Sequence, residues 1–355
     1  TGGTATSYTA TSTPSSITAT SATSPITVTG LSSGTAYTFK VKGTNSTATG
    51  PESSASNSIT MPSKAGYIAG GYNDSSGMVV YSRIDKLSFS DDSKSTLSAT
   101  LTAVEFTVAG MANTGTAGYY GGGDGGVGNN RTNRIDKIAF SNDSKSTLSG
   151  TLSSNRSSMA GIDNAGTGGY FCGGQDGSFI SGIDKITFSN DAKSTLSATL
   201  SSGRSNTSGA SNGTTAGYIN GGYDGTGTPL NGIEKLTYSN ESRSTLAATL
   251  SQSRSINGSF SNSGTANYCG GGTNYVTTYS SIDKIAYSND TRSTISATLS
   301  AAKAVITGVA NYGTAGYFCG GSGFTDAIEK LAFSNDTIST ISAKLTTASA
   351  WHGGM

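Results

Sequence analysis

Short stretches in which large side chains alternate with small or polar ones recur along the whole chain. Between 232 and 239, Leu236 and Tyr238 alternate with Lys235 and Thr237. Between 244 and 250, Leu246, Ala248 and Leu250 alternate with Thr245, Ala247 and Thr249. A period of two marks strands. Two more strands are expected ahead of these, Asn206–Ala210 of small residues and Ala216–Asn220, the latter stopped by Gly221-Gly222. Asn240-Glu241-Ser242 between the last two reads as a hairpin turn, because Asn tolerates turn dihedrals and bonds its own backbone. No segment shows a 3.6-residue period or a helix-cap sequence.

This four-strand pattern is one of six copies. Ile-Asp/Glu-Lys begins at Ile84, Ile135, Ile183, Ile233, Ile282 and Ile328, in steps of 46 to 51 residues. A tyrosine followed by a glycine pair keeps the same rhythm, from Tyr67 with Gly70-Gly71 to Tyr317 with Gly320-Gly321. A third anchor is the run Ser141-Asn142-Asp143-Ser144-Lys145-Ser146-Thr147-Leu148 and its relatives. Short strands in tandem units of about 50 residues point to a β-propeller with one unit per blade. The chain end aligns with Thr102–Met111. Ala350–Met355 is therefore expected to be the first strand of the first unit, beside Ala65–Ala69.

The Tyr-x-x-Gly-Gly strand and the Leu-x-x-x-Arg ending resemble kelch repeats. The arginine stands at Arg156, Arg204 and Arg254, with Lys303 in the fifth unit. Glu105 and Ser349 take its place in the first and last units. Leu97 and Ile341 occupy the usual kelch tryptophan position, so these are divergent copies. The first 62 residues differ. The run from Gly30 to Val41, with Tyr37 as a tyrosine-corner residue, and Gly50-Pro51-Glu52-Ser53 resemble the later strands of a fibronectin type III domain. The fold expected is all-β: a fibronectin type III-like β-sandwich, present in part, over 1–62, and a six-bladed kelch-like β-propeller over 63–355. Sequence upstream of Thr1 is implied, and 61–64 reads as a short linker that places the two domains close together.

Composition narrows the chemistry. Lys plus Arg number 22 and Asp plus Glu 21, giving a net charge of +1 that argues against nucleic acid as a partner. No apolar run is long enough for a membrane helix. Cys172, Cys269 and Cys319 show no metal-binding or disulfide pattern, and read as buried thiols. His352, the one histidine, removes most His-dependent catalysis and metal sites. Neither catalytic residues, a metal nor a cofactor is expected.

The regular Asp/Glu-Lys pairs read as structural. Neighbouring strand residues face opposite ways, so the acid of one unit is expected to meet the lysine of the next. Trp351 aligns with Thr107, Ser158, Asn206, Ile256 and Val305, and has no counterpart among them. The sequons at Asn142, Asn240, Asn289 and Asn335 read as turns.

Variation concentrates between the glycine pair and the Ile-Asp/Glu-Lys strand. Candidate ligand-binding residues there are Tyr72, Asp74 and Tyr81; Asp124 and Arg131, with Asn129; Asp176 and Phe179, with Gln175; Tyr223 and Asp224; Tyr275; and Phe324 and Asp326. Aromatic faces beside amides and carboxylates suit sugars. The architecture resembles tail-fibre, adhesin and capsid-decoration proteins of tailed phages. It implies a non-enzymatic virion-surface protein, outside the cell, whose partners are surface glycans or other virion proteins, with homo-oligomerisation left open. The alternative is a secreted carbohydrate-active or carbohydrate-binding propeller.

Overall fold

The computed structural model describes residues 3–31, 36–60, 64–74, 77–126 and 130–355. Among these there is no helix: every regular element is a strand, and almost all pair antiparallel in four-stranded sheets. The chain divides into two compact units, Thr1–Lys64 and Ala65–Met355. Residues 61–63 of the expected linker, and Asn129, lie outside the described residues.

The first unit holds one sheet, in the order Thr18–Ser21, Ser7–Thr13, Ala36–Thr44, Ile59–Thr60. Ser53 and Ser56 each give a backbone N–H to the Ala36–Thr44 strand and accept one on their side-chain oxygen, at Val41 and Phe39. Tyr37 is buried, and its ring lies 6.4 Å from that of Phe39.

The second unit consists of six sheets. Sheet 1 takes its first strand from the end of the chain: Ala350–Gly354 pairs with Ala65–Asn73, which is followed by Ile84–Ser88 and Lys94–Thr96. His352 faces Gly70 and Gly354 faces Ile68, and Met355 exchanges two backbone hydrogen bonds with Tyr67. Sheets 2 to 6 start at Ala109, Ala160, Ser208, Gly258 and Thr307 and run in chain order. The first strand of sheet 4 is Ser208–Asn212, two residues later than expected. Asn206 is instead held at a φ of 56° and gives its N–H to Ser158.

Each sheet packs on the next through one apolar cluster. Each junction includes a ring pair between the tyrosine of one sheet and an aromatic of the following one, stacked except for Tyr218 and Tyr287, which are tilted at 31°. Tyr67 meets Phe140, Tyr119 Phe188, Tyr170 Tyr238 and Tyr268 Phe333. Tyr317 of sheet 6 returns to Phe89 of sheet 1, at 5.2 Å between centroids. The cluster at that junction, with Ile68, Leu87, Val309 and Leu345, is built like the others. The three cysteines are buried free thiols, and burial pushes each up to about 12.

The charged residues bind across the same junctions, with partners other than those expected. The lysine of each sheet reaches the turn acid of the next sheet, not its Ile-Asp/Glu-Lys acid. Lys86 lies 2.7 Å from Asp143, Lys137 2.7 Å from Asp191 and Lys330 2.6 Å from Asp92. The tyrosine hydroxyl of the same sheet donates to the same carboxylate, as Tyr67 does to Asp143 at 2.7 Å. Those turn acids sit in the left-handed region, at φ of 53° to 57°. The residue before each turn acid, asparagine in five turns and Asp91 in the first, accepts the N–H two residues on, as Asn240 does from Ser242 and Asp91 from Ser93. Strand alternation then sends the Ile-Asp/Glu-Lys acid the other way. It accepts the N–H of the Ser or Thr after the last leucine of the preceding sheet. Asp136 takes Thr102, Asp184 Ser153, Asp283 Ser251 and, across the closing junction, Asp85 Thr346.

Candidate functional site

The glycine pairs shape one end of the second unit. A Cβ on the first glycine would run into a carbonyl oxygen of the segment leaving the same sheet, Glu105 for Gly70 and Arg156 for Gly122. The second glycine gives its N–H to that same oxygen, at 2.9 Å for Gly71 and 3.0 Å for Gly123. With both glycines at positive φ, the chain turns onto the residues that open each first strand. There it forms short antiparallel bridges, Asp124 to Phe106, Gln175 to Ser157, Tyr223 to Ser205 and Thr273 to Ser255. Tyr72 pairs with Ala350 in the same way.

Those bridges flank the six residues aligned with Trp351. Thr107, Ser158, Asn206, Ile256, Val305 and Trp351 all lie at φ between 50° and 63°. Each gives its N–H to the carbonyl of another member, so Thr107 bonds Trp351, Ser158 bonds Thr107, and the series closes with Trp351 bonding Val305 at 3.3 Å. Left-handed φ is an outlier for the β-branched Thr107, Ile256 and Val305. Such strain costs of order 1–3 kcal/mol per residue and collects at functional sites. The closed hydrogen-bond series is what holds it. A hollow of about 80 Å³ is lined by these six residues and their successors.

Two arcs of aromatic rings each reach one residue of that hollow, Trp351 in one and Asn206 in the other. In one, Tyr72 lies 5.1 Å from Phe106 and 5.5 Å from Phe324, and Phe106 lies 6.4 Å from Trp351. In the other, Tyr223 is 5.5 Å from Phe179 and 5.2 Å from Tyr275, each edge to face. The amide of Asn206 reaches the Tyr275 hydroxyl at 3.4 Å. Five of the candidate residues therefore fall into two groups, Tyr72 and Phe324 with Phe106 and Trp351, and Phe179, Tyr223 and Tyr275 with Asn206. The others stand apart in role. Tyr81 lies under the Arg83 guanidinium, 4.1 Å from ring centroid to Cζ. Asp124 faces Arg131 at 3.7 Å and caps Gly126. Asp176 and Asp224 cap their own loops through Ser178 and Thr226, which holds Asp224 below the usual carboxylate range. Asp326 pairs with Lys344, and Asp74 is exposed beside residues outside the description.

Adjoining the hollow, the first strands of the six sheets line a partly open cavity of about 160 Å³. Glycine recurs on these strands because they approach one another closely. A Cβ at Gly161 would strike the carbonyl of Gly110, and one at Gly209 that of Gly161. Asp163 lines the cavity, and burial pushes its carboxyl up to about 7. His352 lies between hollow and cavity. Its Nε2 is 2.9 Å from the Ser349 hydroxyl, and burial, with Arg83 nearby, pushes it down to about 3. That environment suits a neutral packed imidazole. Phe106 and Asp163 escaped the sequence reading. The available signal was departure from the repeat: Phe106 stands where Ser157, Ser205 and Ser255 stand in other copies, and Asp163 where Ser211 and Ser261 do.

A scan against protein-family models found no family that matches this chain, and no curated protein matched it in sequence.

Proposed function

We propose that this is a non-enzymatic binding protein of a virion exterior, and that the end carrying the two aromatic arcs takes a surface glycan. On this reading the six sheets are blades of a kelch-like β-propeller, and the first unit is part of a fibronectin type III-like sandwich. The blade reading draws support from series of contacts that run sheet to sheet and return from the sixth to the first. The glycan reading rests on one observation: two groups of aromatic rings, Tyr72, Phe106, Phe324 and Trp351 in one and Phe179, Tyr223 and Tyr275 in the other, each touch the strained, closed backbone series, through Trp351 and Asn206. Aromatic faces cover the apolar side of a sugar ring, while Asn206 and the loop carboxylates offer partners to its hydroxyls. The virion setting rests on resemblance of architecture.

A glycan array with wild-type protein and with Tyr223→Ala and Trp351→Ala tests this. The expected result is binding to one class of glycan, weakened roughly tenfold or more in the variants, equivalent to about 1.4 kcal/mol, with melting little changed. A wild type that binds no glycan, or variants that bind as well as it does, overturns the glycan reading.

A further inference from the structure

We infer that the cavity lined by the first strands of the six sheets is a site for one small monovalent cation, an alkali ion or a primary ammonium, held by Asp163 among neighbouring hydroxyls. The first observation is a missing partner. Among the described residues every other buried carboxylate has an arginine or lysine nitrogen within 4 Å, such as Asp85 with Lys94 at 3.8 Å and Asp184 with Arg156 at 2.7 Å. Asp163, 9% exposed, has none among the described residues. No lysine or arginine lines its cavity.

The second observation is that the fold does not call for an acid there. The same place on other first strands holds Ala112, Ser211, Ser261 or Ala310. The third is the setting. Ser211 Oγ accepts the Asp163 N–H at 2.8 Å and the Tyr238 hydroxyl at 3.3 Å. Ser261 Oγ lies 2.8 Å from the Tyr287 hydroxyl, and Tyr312 also lines the cavity. One negative charge among neutral oxygens matches one positive charge, whereas calcium takes several carboxylates. A buried, unpaired carboxylate is costly unless it is neutralised or paired. The cavity has room for a cation with a few waters, each of which occupies about 30 Å³ in the liquid.

The test compares melting of the full chain at about pH 8, where carboxyls are ionised, and at constant ionic strength. Chloride salts of sodium, potassium, methylammonium and the bulky N-methylglucamine are used, with titration calorimetry for each small cation. Wild type should melt several degrees higher in at least one small cation than in N-methylglucamine, because a ligand that binds only the folded state stabilises it. Asp163→Asn should abolish that difference and the calorimetric signal. Asp163→Ser, which copies the neighbouring sheets, serves if the first variant misfolds. An effect of sodium or potassium identifies an inorganic ion, and an effect of methylammonium alone an organic ammonium. Equal melting of wild type in all four salts, or a difference retained in the variants, overturns the site.

Discussion

Four junctions between sheets solve a charge problem in one way and two solve it in another. In the four, the basic residue comes from the segment leaving the preceding sheet: Arg156 on Asp184, Arg204 on Glu234, Arg254 on Asp283 and Lys303 on Glu329. In the other two, that position is Glu105 or Ser349. An arginine just ahead of the Ile-Asp-Lys strand fills the place instead: Arg134 on Glu105, and Arg83, 3.9 Å from Asp85 and 2.6 Å from Ser349 Oγ. Where the first solution holds, the residue ahead of that isoleucine is small, as at Gly182 and Gly232. Either wall of the junction can therefore supply the basic residue, while Asp136 itself is reached by Lys145, at 3.8 Å. The apparent defects of the first and last repeats are exchanges.

The largest break in this scheme is removal of Ala350–Met355. The deletion takes away the first strand of sheet 1, Trp351 from the closed backbone series and His352 from beside Arg83. It leaves an open sheet edge. Loss of cooperative melting or aggregation is expected, read by calorimetry and light scattering. A soluble deletion with unchanged melting would show that closure contributes little.

Next comes Arg156→Leu. Arg156 and Asp184 are both fully buried, and the guanidinium also donates to the Gly173 carbonyl at 3.0 Å. Asp184 keeps Lys193 at 3.0 Å, but loses its fully buried partner, so a loss of up to about 3 kcal/mol is expected, measurable by denaturant unfolding. The exchange itself is tested by moving it. Arg134→Gly should destabilise, and adding Glu105→Arg, which copies the Arg156 and Gly182 arrangement, should restore part of the loss. A coupling of about 1–3 kcal/mol is expected. Strict additivity would mean that the two walls are not equivalent.

The Arg134 junction also carries two carboxylates, Glu105 and Asp136. Burial pushes Glu105 up to about 7, against 4.5 for an ordinary glutamate. A carboxyl raised in the folded state binds its proton more tightly there. Its contribution is therefore full below the unfolded value and is lost as pH rises from 4.5 towards 7. Glu105→Gln should consequently raise the unfolding free energy near pH 8 relative to wild type, by about 1 kcal/mol once the weaker bond to Arg134 is counted. Near pH 4.5 it should bring no gain. An equal effect at both pH values would remove the titration argument.

Much of this was legible because it repeats. Alternation, the tyrosine–glycine strands and the Ile-Asp/Glu-Lys steps report demands that every sheet makes on its neighbours, so six sheets could be counted. Alternation also gave the correct opposition of acid and lysine. It could not say which carboxylate lies across the junction, because that depends on how far the next sheet's turn reaches. The clue was an acid at the same turn position six times, from Asp92 to Asp336. At the rim, Tyr72, Phe179, Tyr223, Tyr275 and Phe324 could be singled out as aromatics in loops that vary from unit to unit. Their grouping into two arcs follows from the backbone series through Trp351, a long-range closure that no local pattern reveals.

The smallest effect expected is at the lysine latch. Lys86 and Asp143 are 2.7 Å apart, as close as Arg156 and Asp184, yet their side chains remain 20% and 29% exposed. Water already solvates both, so pairing them gains little beyond the entropy lost in fixing a long side chain. Asp143 also keeps the Tyr67 hydroxyl when the lysine is gone, so no carboxylate is left bare. Lys86→Met should cost no more than about 1 kcal/mol, and the cost should shrink in concentrated salt, which screens exposed charges. Measured in the same denaturant series as Arg156→Leu, it compares an exposed with a buried pair at the same distance, the buried arginine also holding backbone carbonyls such as that of Gly173. If Lys86→Met proved as damaging as Arg156→Leu, or insensitive to salt, then burial would not be what separates the latch from the buried pair.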